Sequence, residues 1–258
     1  MRDRLIPATL IMSIFRSFRG LLALLALVPL TVVVSLATLV DTACLRRSKE
    51  KALLFPTLWG RILCRIVGIR VEISGQQHLN PQQTYIFVGN HTSQADIWTF
   101  QGYFPHSFRW IAKKELFALP LFGAAMKAVG FISIDRSRGR QAVQSLNDAA
   151  QRIAEGASVL IFPEGTRSPD GRLRQFKTGA IMLAIKAGVP VVPVGFNGTH
   201  QVLPKGHLVA RGGRVVIRIG EPLETSGFKA KDKQSLALQL QREVRALLDP
   251  CHLPLDNK

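Results

Sequence analysis

The run Val159-Leu160-Ile161-Phe162 is apolar and partly β-branched, and it stops abruptly at Pro163-Glu164-Gly165-Thr166-Arg167-Ser168. So short an apolar run, closed by proline and glycine, reads as a core strand entering a loop. Gly165 opens backbone conformations closed to other residues. Thr166 and Ser168 supply hydroxyls, and the planar guanidinium of Arg167 fits phosphate or carboxylate. Pro169-Asp170-Gly171 turns the chain, and Arg172, Arg174 and Lys177 follow. A strand ending in such a loop forms an anion site at the edge of an α/β sheet. The plain alternative is a surface loop with one salt-bridged arginine.

A second strand-like run, Tyr85-Ile86-Phe87-Val88, leads into Asn90-His91-Thr92-Ser93-Gln94-Ala95-Asp96. Here a histidine stands five residues before an aspartate, again just after a strand. One strand end can hold a base and another an anion.

The 258 residues suffice for one sizeable domain, and the formal net charge is +17. Such a charge calls for a polyanionic partner, nucleic acid or an anionic membrane surface. The hydrophobic fraction of 47% and the mean hydropathy of +0.16 favour the membrane. No strand interleaves aromatic with basic residues, so no nucleic-acid partner is expected. Cys44, Cys64 and Cys251 form no CxxC or zinc pattern and read as reduced thiols in a protein whose working part faces the cytoplasm. His78, His91, His106, His200, His207 and His252 are dispersed without ligand spacing, so no metal is expected.

Leu21 to Val40 is twenty residues without a charge, long enough to cross a hydrocarbon core, with Pro29 as a potential kink. Leu5 to Phe18 is also apolar apart from Arg16. Two arrangements fit: a single spanning helix after an amphipathic lead-in, or a re-entrant pair dipping into one leaflet. Basic residues flank both sides, which leaves orientation open. A cleaved signal peptide fits less well, because its n-region would be unusually long.

Ser48 to Val67 reads as a helix broken near Pro56, with Trp59, Arg61 and Arg65 suited either to a membrane interface or to ordinary packing. Strands are expected at Ile69–Ser74, Tyr85–Val88, Phe108–Ala112, Phe131–Ile134, Ser158–Phe162, Val189–Phe196 and Arg214–Ile219. The two prolines of Val189–Phe196 suggest an edge or irregular strand. Helices are expected from Asp96, before Val129, and at Arg140–Glu155, Thr178–Lys186 and Asp232–Leu248, and the tail past Pro250 is expected to fray. The alternation predicts a single mixed sheet flanked by helices, an α/β domain over 68–250, behind membrane-associating helices over 1–67, with a tail at 251–258.

Four blocks, in this order, resemble the glycerophospholipid acyltransferases of the 1-acyl-glycerol-3-phosphate (lysophosphatidate) type. Asn90-His91 through Asp96 is similar to their NHx4D block. Lys113 through Leu116, with Gly130 and Ile134-Asp135-Arg136, is similar to the second. Phe162 through Ser168 reproduces FPEGTRS, and Val189-Pro190-Val191-Val192-Pro193-Val194 is similar to the fourth. A lone HxxxxD is weak; followed at this distance by an intact FPEGTRS, it is specific.

The resemblance implies acyl transfer from acyl-CoA or acyl-carrier protein, the co-substrate, to the sn-2 hydroxyl of 1-acyl-glycerol 3-phosphate, giving phosphatidic acid without a cofactor. It implies an anionic phospholipid membrane as partner and a place at the inner membrane with the catalytic domain towards the cytoplasm. His91 would be the general base, oriented by Asp96. Five residues separate the two, too many for neighbours on one helix face, so a bend between them is required. Ser93 is the nearest competing nucleophile. Arg167 would grip the acceptor phosphate, helped by backbone around Gly165 and Thr166, with Lys113 and Arg136 adding charge. Glu164 belongs to the same substrate-binding group; because a carboxylate repels phosphate, orienting Arg167 or a backbone turn is the alternative task. Other acceptors keep the same chemistry: lyso-ornithine lipid, another lysophospholipid, or glycerol 3-phosphate. A non-catalytic membrane lipid-binding protein is the rival of a different class.

Overall fold

A computed structural model describes residues 8–45, 48–135 and 139–254, with side chains from residue 17 onward. The first element, α1 (Ala8–Ala43), runs as one helix through the described part of the first apolar stretch and all of the second, so residues 8–43 do not form a re-entrant pair; the helix also continues through Pro29. α2 (Lys49–Ala52) and α3 (Leu54–Val67) follow. The break between them falls at Leu53 rather than at Pro56. Pro56 instead occupies the first turn of α3, where its missing N–H would have no intrahelical partner.

The α/β region then runs β1 (Ile69–Ser74), β2 (Ile86–Gly89), α4 (Ala95–Tyr103), β3 (Arg109–Lys113), α5 (Phe122–Ala128), β4 (Ile132–Ile134) and α6 (Arg140–Ala154). It continues with β5 (Val159–Ile161), α7 (Thr178–Ala187), β6 (Val191–Asn197), α8 (Thr199–Val202), β7 (Gly213–Ile219) and α9 (Lys233–Ala246). Among the described residues, seven strands form one mixed sheet in the order β1-β7-β6-β2-β5-β3-β4. β6, β2, β5, β3 and β4 run parallel, β7 is antiparallel to β6, and β1 is parallel to β7. The loops after β2, β5, β3 and β6 therefore leave from one edge of the sheet.

Alternate side chains of the central strands feed opposite layers. Phe87 and Leu160 join a core with Leu63, Trp98 and Phe196 beneath α3 and α4. Ile86, Val88, Val159 and Ile161 join another with Ile153, Leu183, Leu236 and Leu240 beneath α6, α7 and α9.

β6 lies in the middle of the sheet with every residue buried, not at an edge. Pro193 is tolerated because its carbonyl accepts the Gly220 N–H at 2.8 Å, so its donor-less side faces the end of the β7 ladder, which starts only at Val194. The chain past Pro250 is anchored as far as Pro254. His252 is buried; its Nδ1 meets the Gly171 carbonyl at 2.8 Å and its Nε2 accepts the Gly198 N–H at 3.2 Å.

α1 lays one side on this body. Leu27 and Leu30 pack against the first core, and the Trp59 indole N–H donates to Thr31 Oγ1 at 3.0 Å, so Trp59 is a packing residue between α1 and α3. The other side leaves Leu25, Val28, Val33 and Val40 more than half exposed. α3 crosses α4 closely enough that a Cβ on Gly60 would stand 2.7 Å from the backbone of Trp98 and of Gly102.

Gly60→Val should therefore push the two helices apart and destabilise the fold by about 1–3 kcal/mol. The check is the thermal midpoint of purified protein in detergent, expected to fall by roughly 2–10 °C; an unchanged midpoint would show that the crossing yields without strain.

Candidate active site

The site begins where β2 ends. A Cβ on Gly89 would stand 2.7 Å from the Phe196 ring, which is the reason for glycine here. The Asn90 side chain then extends the sheet: Nδ2–H donates to the Phe196 carbonyl at 3.0 Å and Oδ1 accepts the Phe196 N–H at 2.7 Å. The chain next folds back on itself. Asp96, in the first turn of α4, accepts the amides of Thr92 and Ser93 at 2.9 and 3.0 Å, both on Oδ2. The same oxygen meets His91 Nδ1 at 2.8 Å. This turn is the bend that brings histidine and aspartate together across their five-residue spacing. A carboxylate can only accept, so the ring proton lies on Nδ1 and Nε2 keeps its lone pair.

His91 is about one-sixth exposed (17%) while Asp96 is wholly buried. The Phe162 ring stacks on the imidazole at 4.0 Å and 8°. Ser93 is occupied elsewhere: its hydroxyl donates to the Leu203 carbonyl at 2.7 Å and accepts the Ala95 N–H at 3.0 Å. Thr92 and Thr199 hydroxyls pair at 2.9 Å, tying this turn to α8.

The loop after β5 meets this turn through the backbone. Glu164 Oε1 accepts the His91 N–H at 2.9 Å, and the His91 carbonyl accepts the Ser168 N–H at 2.8 Å. Gly165 adopts φ 75°, where side chains are disfavoured, and closes a turn onto the Phe162 carbonyl at 3.0 Å. The Lys177 ammonium lies over it, 3.1 Å from where a Cβ would sit. Thr166 is exposed and Arg167 half-buried. Lys205 Nζ donates to the Arg167 carbonyl at 3.0 Å. The Ser168 hydroxyl donates to Asp170 at 2.8 Å and holds that carboxyl below its ordinary range. Glu164 is different: burial above all, with Asp96 nearby, pushes its carboxyl up to about 8 against the pull of the His91 amide and Arg174.

The acyltransferase family matches residues 70–197, a span holding both loops. The chain belongs to the acyltransferase family. Among its relatives, 1-acyl-sn-glycerol-3-phosphate acyltransferase alpha of Ovis aries is 36% identical over 180 residues, 69% of this chain and 63% of that protein. The Arabidopsis thaliana enzyme 1-acyl-sn-glycerol-3-phosphate acyltransferase LPAT1, chloroplastic, is 38% identical over 159 residues, 61% of this chain and 44% of that protein. The chain thus spans less than two-thirds of the length of these curated relatives. The crystal structure of the 1-acyl-sn-glycerophosphate acyltransferase PlsC from Thermotoga maritima aligns with a TM-score of 0.75 at 29% identity, covering 90% of this chain and 95% of that one.

In this acyltransferase chain the residues expected from the sequence are placed unequally. His91 and the run Glu164, Gly165, Thr166 and Arg167 fall in two loops joined by hydrogen bonds, and Asp96 in the first turn of α4 is bonded to His91. Lys113 is exposed at the end of β3, three residues past the Trp110–Leu160 pair, and so level with Pro163 on the same sheet edge. Arg136 lies outside the described residues. Beside it in sequence, Asp135 is bonded by Lys114 at 2.6 Å. Among the described residues no group of three or more His, Cys, Asp or Glu could hold a metal ion. A cavity of about 410 Å³ lined by Ser17, Gln201, Pro204, His207 and Arg211 flanks Lys205 but takes in neither His91 nor Asp96.

Asn90, Phe162 and Lys177 stand in or beside the sequence motifs with no task evident there, and Thr199 and Lys205 lie outside them. An asparagine just past a core strand is a signal for backbone clamping, whereas nothing local marks Thr199 or Lys205.

Asn90→Ala would strand a buried N–H and a buried carbonyl on Phe196, a loss of about 2–4 kcal/mol for two orphaned groups. Equilibrium denaturation should show that loss, and Asn90→Asp, which keeps one acceptor, should recover part of it. A loss below about 1 kcal/mol for the alanine variant would mean that Phe196 finds other partners.

Proposed function

We propose that this chain moves a fatty acyl group from acyl-CoA or acyl-carrier protein to the free sn-2 hydroxyl of 1-acyl-glycerol 3-phosphate, giving phosphatidic acid. The observation that carries the reading is the His91–Asp96 pair, its imidazole Nε2 left with a lone pair, hydrogen-bonded through the His91 backbone to the loop of Arg167. The family match and the activity for which the relatives are named support the acceptor.

In this mechanism His91 Nε2 removes the proton from the sn-2 hydroxyl as its oxygen attacks the thioester carbonyl. Asp96 accepts from Nδ1–H throughout and offsets the charge of the imidazolium. The tetrahedral adduct collapses by breaking the C–S bond. The thiolate leaves, and the imidazolium returns the proton to it or to solvent. No covalent enzyme intermediate is required, in keeping with a Ser93 hydroxyl already bonded at both ends.

Arg167 takes the acceptor phosphate through its guanidinium, with Lys177 over Gly165 and Lys113 on the same sheet edge adding positive charge. The chemistry is set beside a bilayer. Ser17–Ala43 is long and apolar enough to cross one, and the exposed Leu54, Leu58 and Ile62 of α3 and Leu119 and Leu121 before α5 extend its apolar surface. In this reading helices through Val67 seat the protein on the membrane, and the catalytic region over 68–250 faces the cytoplasm at the inner membrane. Lys and Arg near the surface add on the order of 1 kcal/mol each on anionic lipid.

The test is acyl transfer by the purified full-length protein, with acyl-CoA and acyl-carrier protein each offered against 1-acyl-glycerol 3-phosphate, glycerol 3-phosphate, lyso-ornithine lipid and zwitterionic lysophospholipids. The phosphate monoester is expected to give the highest kcat/KM; preference for an acceptor without one overturns the acceptor assignment. His91→Ala should lower kcat by about 10²–10⁴-fold with liposome binding unchanged, and near-normal turnover would refute the general base. Arg167→Ala should raise the acceptor KM by roughly 10–100-fold, the loss of a charge-assisted contact. A rise confined to the thioester KM would place Arg167 on the donor instead.

A further inference from the structure

Glu164 stands inside the site yet is only 2% exposed. Oε1 accepts the His91 N–H, and Oε2 is buried without a hydrogen-bond partner among the described residues. Three groups face this carboxyl from the packed elements: the His91 amide from the loop after β2, the buried Asp96 carboxylate from α4, and the exposed Arg174 from its own side of the sheet edge. A carboxylate sealed from water needs several donors or a close cation to hold its charge. Oε1 has the His91 amide, the Arg174 backbone N–H adds only a weaker pull, Oε2 has no hydrogen-bond partner among the described residues, and another anion lies nearby. The neutral acid avoids this penalty, and its carbonyl oxygen accepts the amide equally well.

We propose that Glu164 is a positioning residue: as a buried neutral acid it accepts the His91 amide, holds the catalytic turn against the loop of Arg167, and makes no contact with the acceptor phosphate. This rests on the acyl-transfer reading only insofar as turnover reports the placement of His91. The His91 carbonyl, bonded by the Ser168 N–H, fixes the turn at its other end. Losing the Glu164 contact therefore frees one side of His91 and lets the imidazole swing away from the hydroxyl it must meet.

The protonation follows from the same surroundings. Burial pushes the carboxyl from its ordinary 4.5 up to about 8. Between those values the folded chain keeps a proton that the unfolded chain has released, so stability falls as pH rises through that window. Above about 8 a second negative charge forms beside Asp96, and turnover should decline.

The experiment compares wild type, Glu164→Gln, Glu164→Ala and Arg167→Ala in the full-length protein, measuring kcat and acceptor KM across pH with whichever acceptor is turned over, together with the thermal midpoint across pH. Gln keeps the accepting oxygen and cannot ionise. Its kcat should stay within about threefold of wild type, with the acceptor KM unchanged, the alkaline decline gone and the midpoint less steep between pH 4.5 and 8. Ala should lower kcat by roughly 10–100-fold with the acceptor KM nearly constant, the cost of a misplaced base, whereas Arg167→Ala should move the KM. The proposal is overturned if Gln is as impaired as Ala, if Gln raises the acceptor KM about tenfold, or if wild type and Gln share one pH dependence. Should Ala fail to fold, the Gln comparison decides alone. If wild type yields no product from any acceptor, the acyl-transfer reading falls, and the midpoint comparison still decides whether the carboxyl is buried as the acid.

Discussion

Both backbone groups of His91 are bonded to the loop that follows β5, its N–H to Glu164 and its carbonyl to the Ser168 amide. The rest of the site depends on these contacts, because they fix the backbone before the imidazole is oriented. Asp96 then needs to set only the ring, and Phe162 stacks against its face. The sheet makes the contacts possible. β2 and β5 are neighbours and parallel, so their C-terminal loops emerge side by side. Had the two strands been separated by another, the same residues would lie a strand spacing further apart, about 4.8 Å, and neither bond could form.

On its other side β2 pairs with β6, and Asn90 carries that pairing past the end of the strand by bonding both backbone groups of Phe196. The turn bearing His91 is thus held from left and right by adjacent strands and from below by α4. The proposed general base must be placed to a fraction of an ångström, and fixing the turn's backbone on three sides would do so without spending the imidazole's own hydrogen bonds. Ser93 serves the same end. Its hydroxyl binds the turn to the Leu203 carbonyl, which makes it part of the frame.

The alternation of strands and helices was readable because the core strands are short apolar runs and α6, α7 and α9 keep a helical period. The misreadings share one cause. β6 reads as an edge from Pro190 and Pro193, but the side of the strand that a proline leaves without a donor is set by which neighbour reaches it, and this is a tertiary fact. Pro56 reads as a break, yet its cost depends on where the helix begins. The tail past Pro250 reads as frayed because nothing local shows that His252 inserts between Gly171 and Gly198. At the site, the segments bearing His91, Asp96 and Arg167 were legible as candidates, since each follows an apolar run that breaks abruptly into polar residues and the two match known motif blocks in order. Glu164 was legible as a member of the motif but not as a buried acid, because burial is fixed by what packs over a residue.

Placing two acidic side chains near one imidazole raises a problem of charge that the fold answers by treating them differently. Asp96 receives two amides and the imidazole N–H on Oδ2, while its Oδ1 is buried without a hydrogen-bond partner among the described residues. Glu164 receives the His91 amide and only a weaker pull from the Arg174 backbone N–H. The better-solvated carboxyl faces the ring, where an anion favours the imidazolium of the proposed transition state. The poorly solvated one faces the backbone, where charge would bring repulsion and no benefit. A second carboxylate there would also set its field against the phosphate that Arg167 is proposed to hold. On this proposal the protein keeps an acidic residue beside the loop proposed to hold phosphate by denying it the solvation that would ionise it.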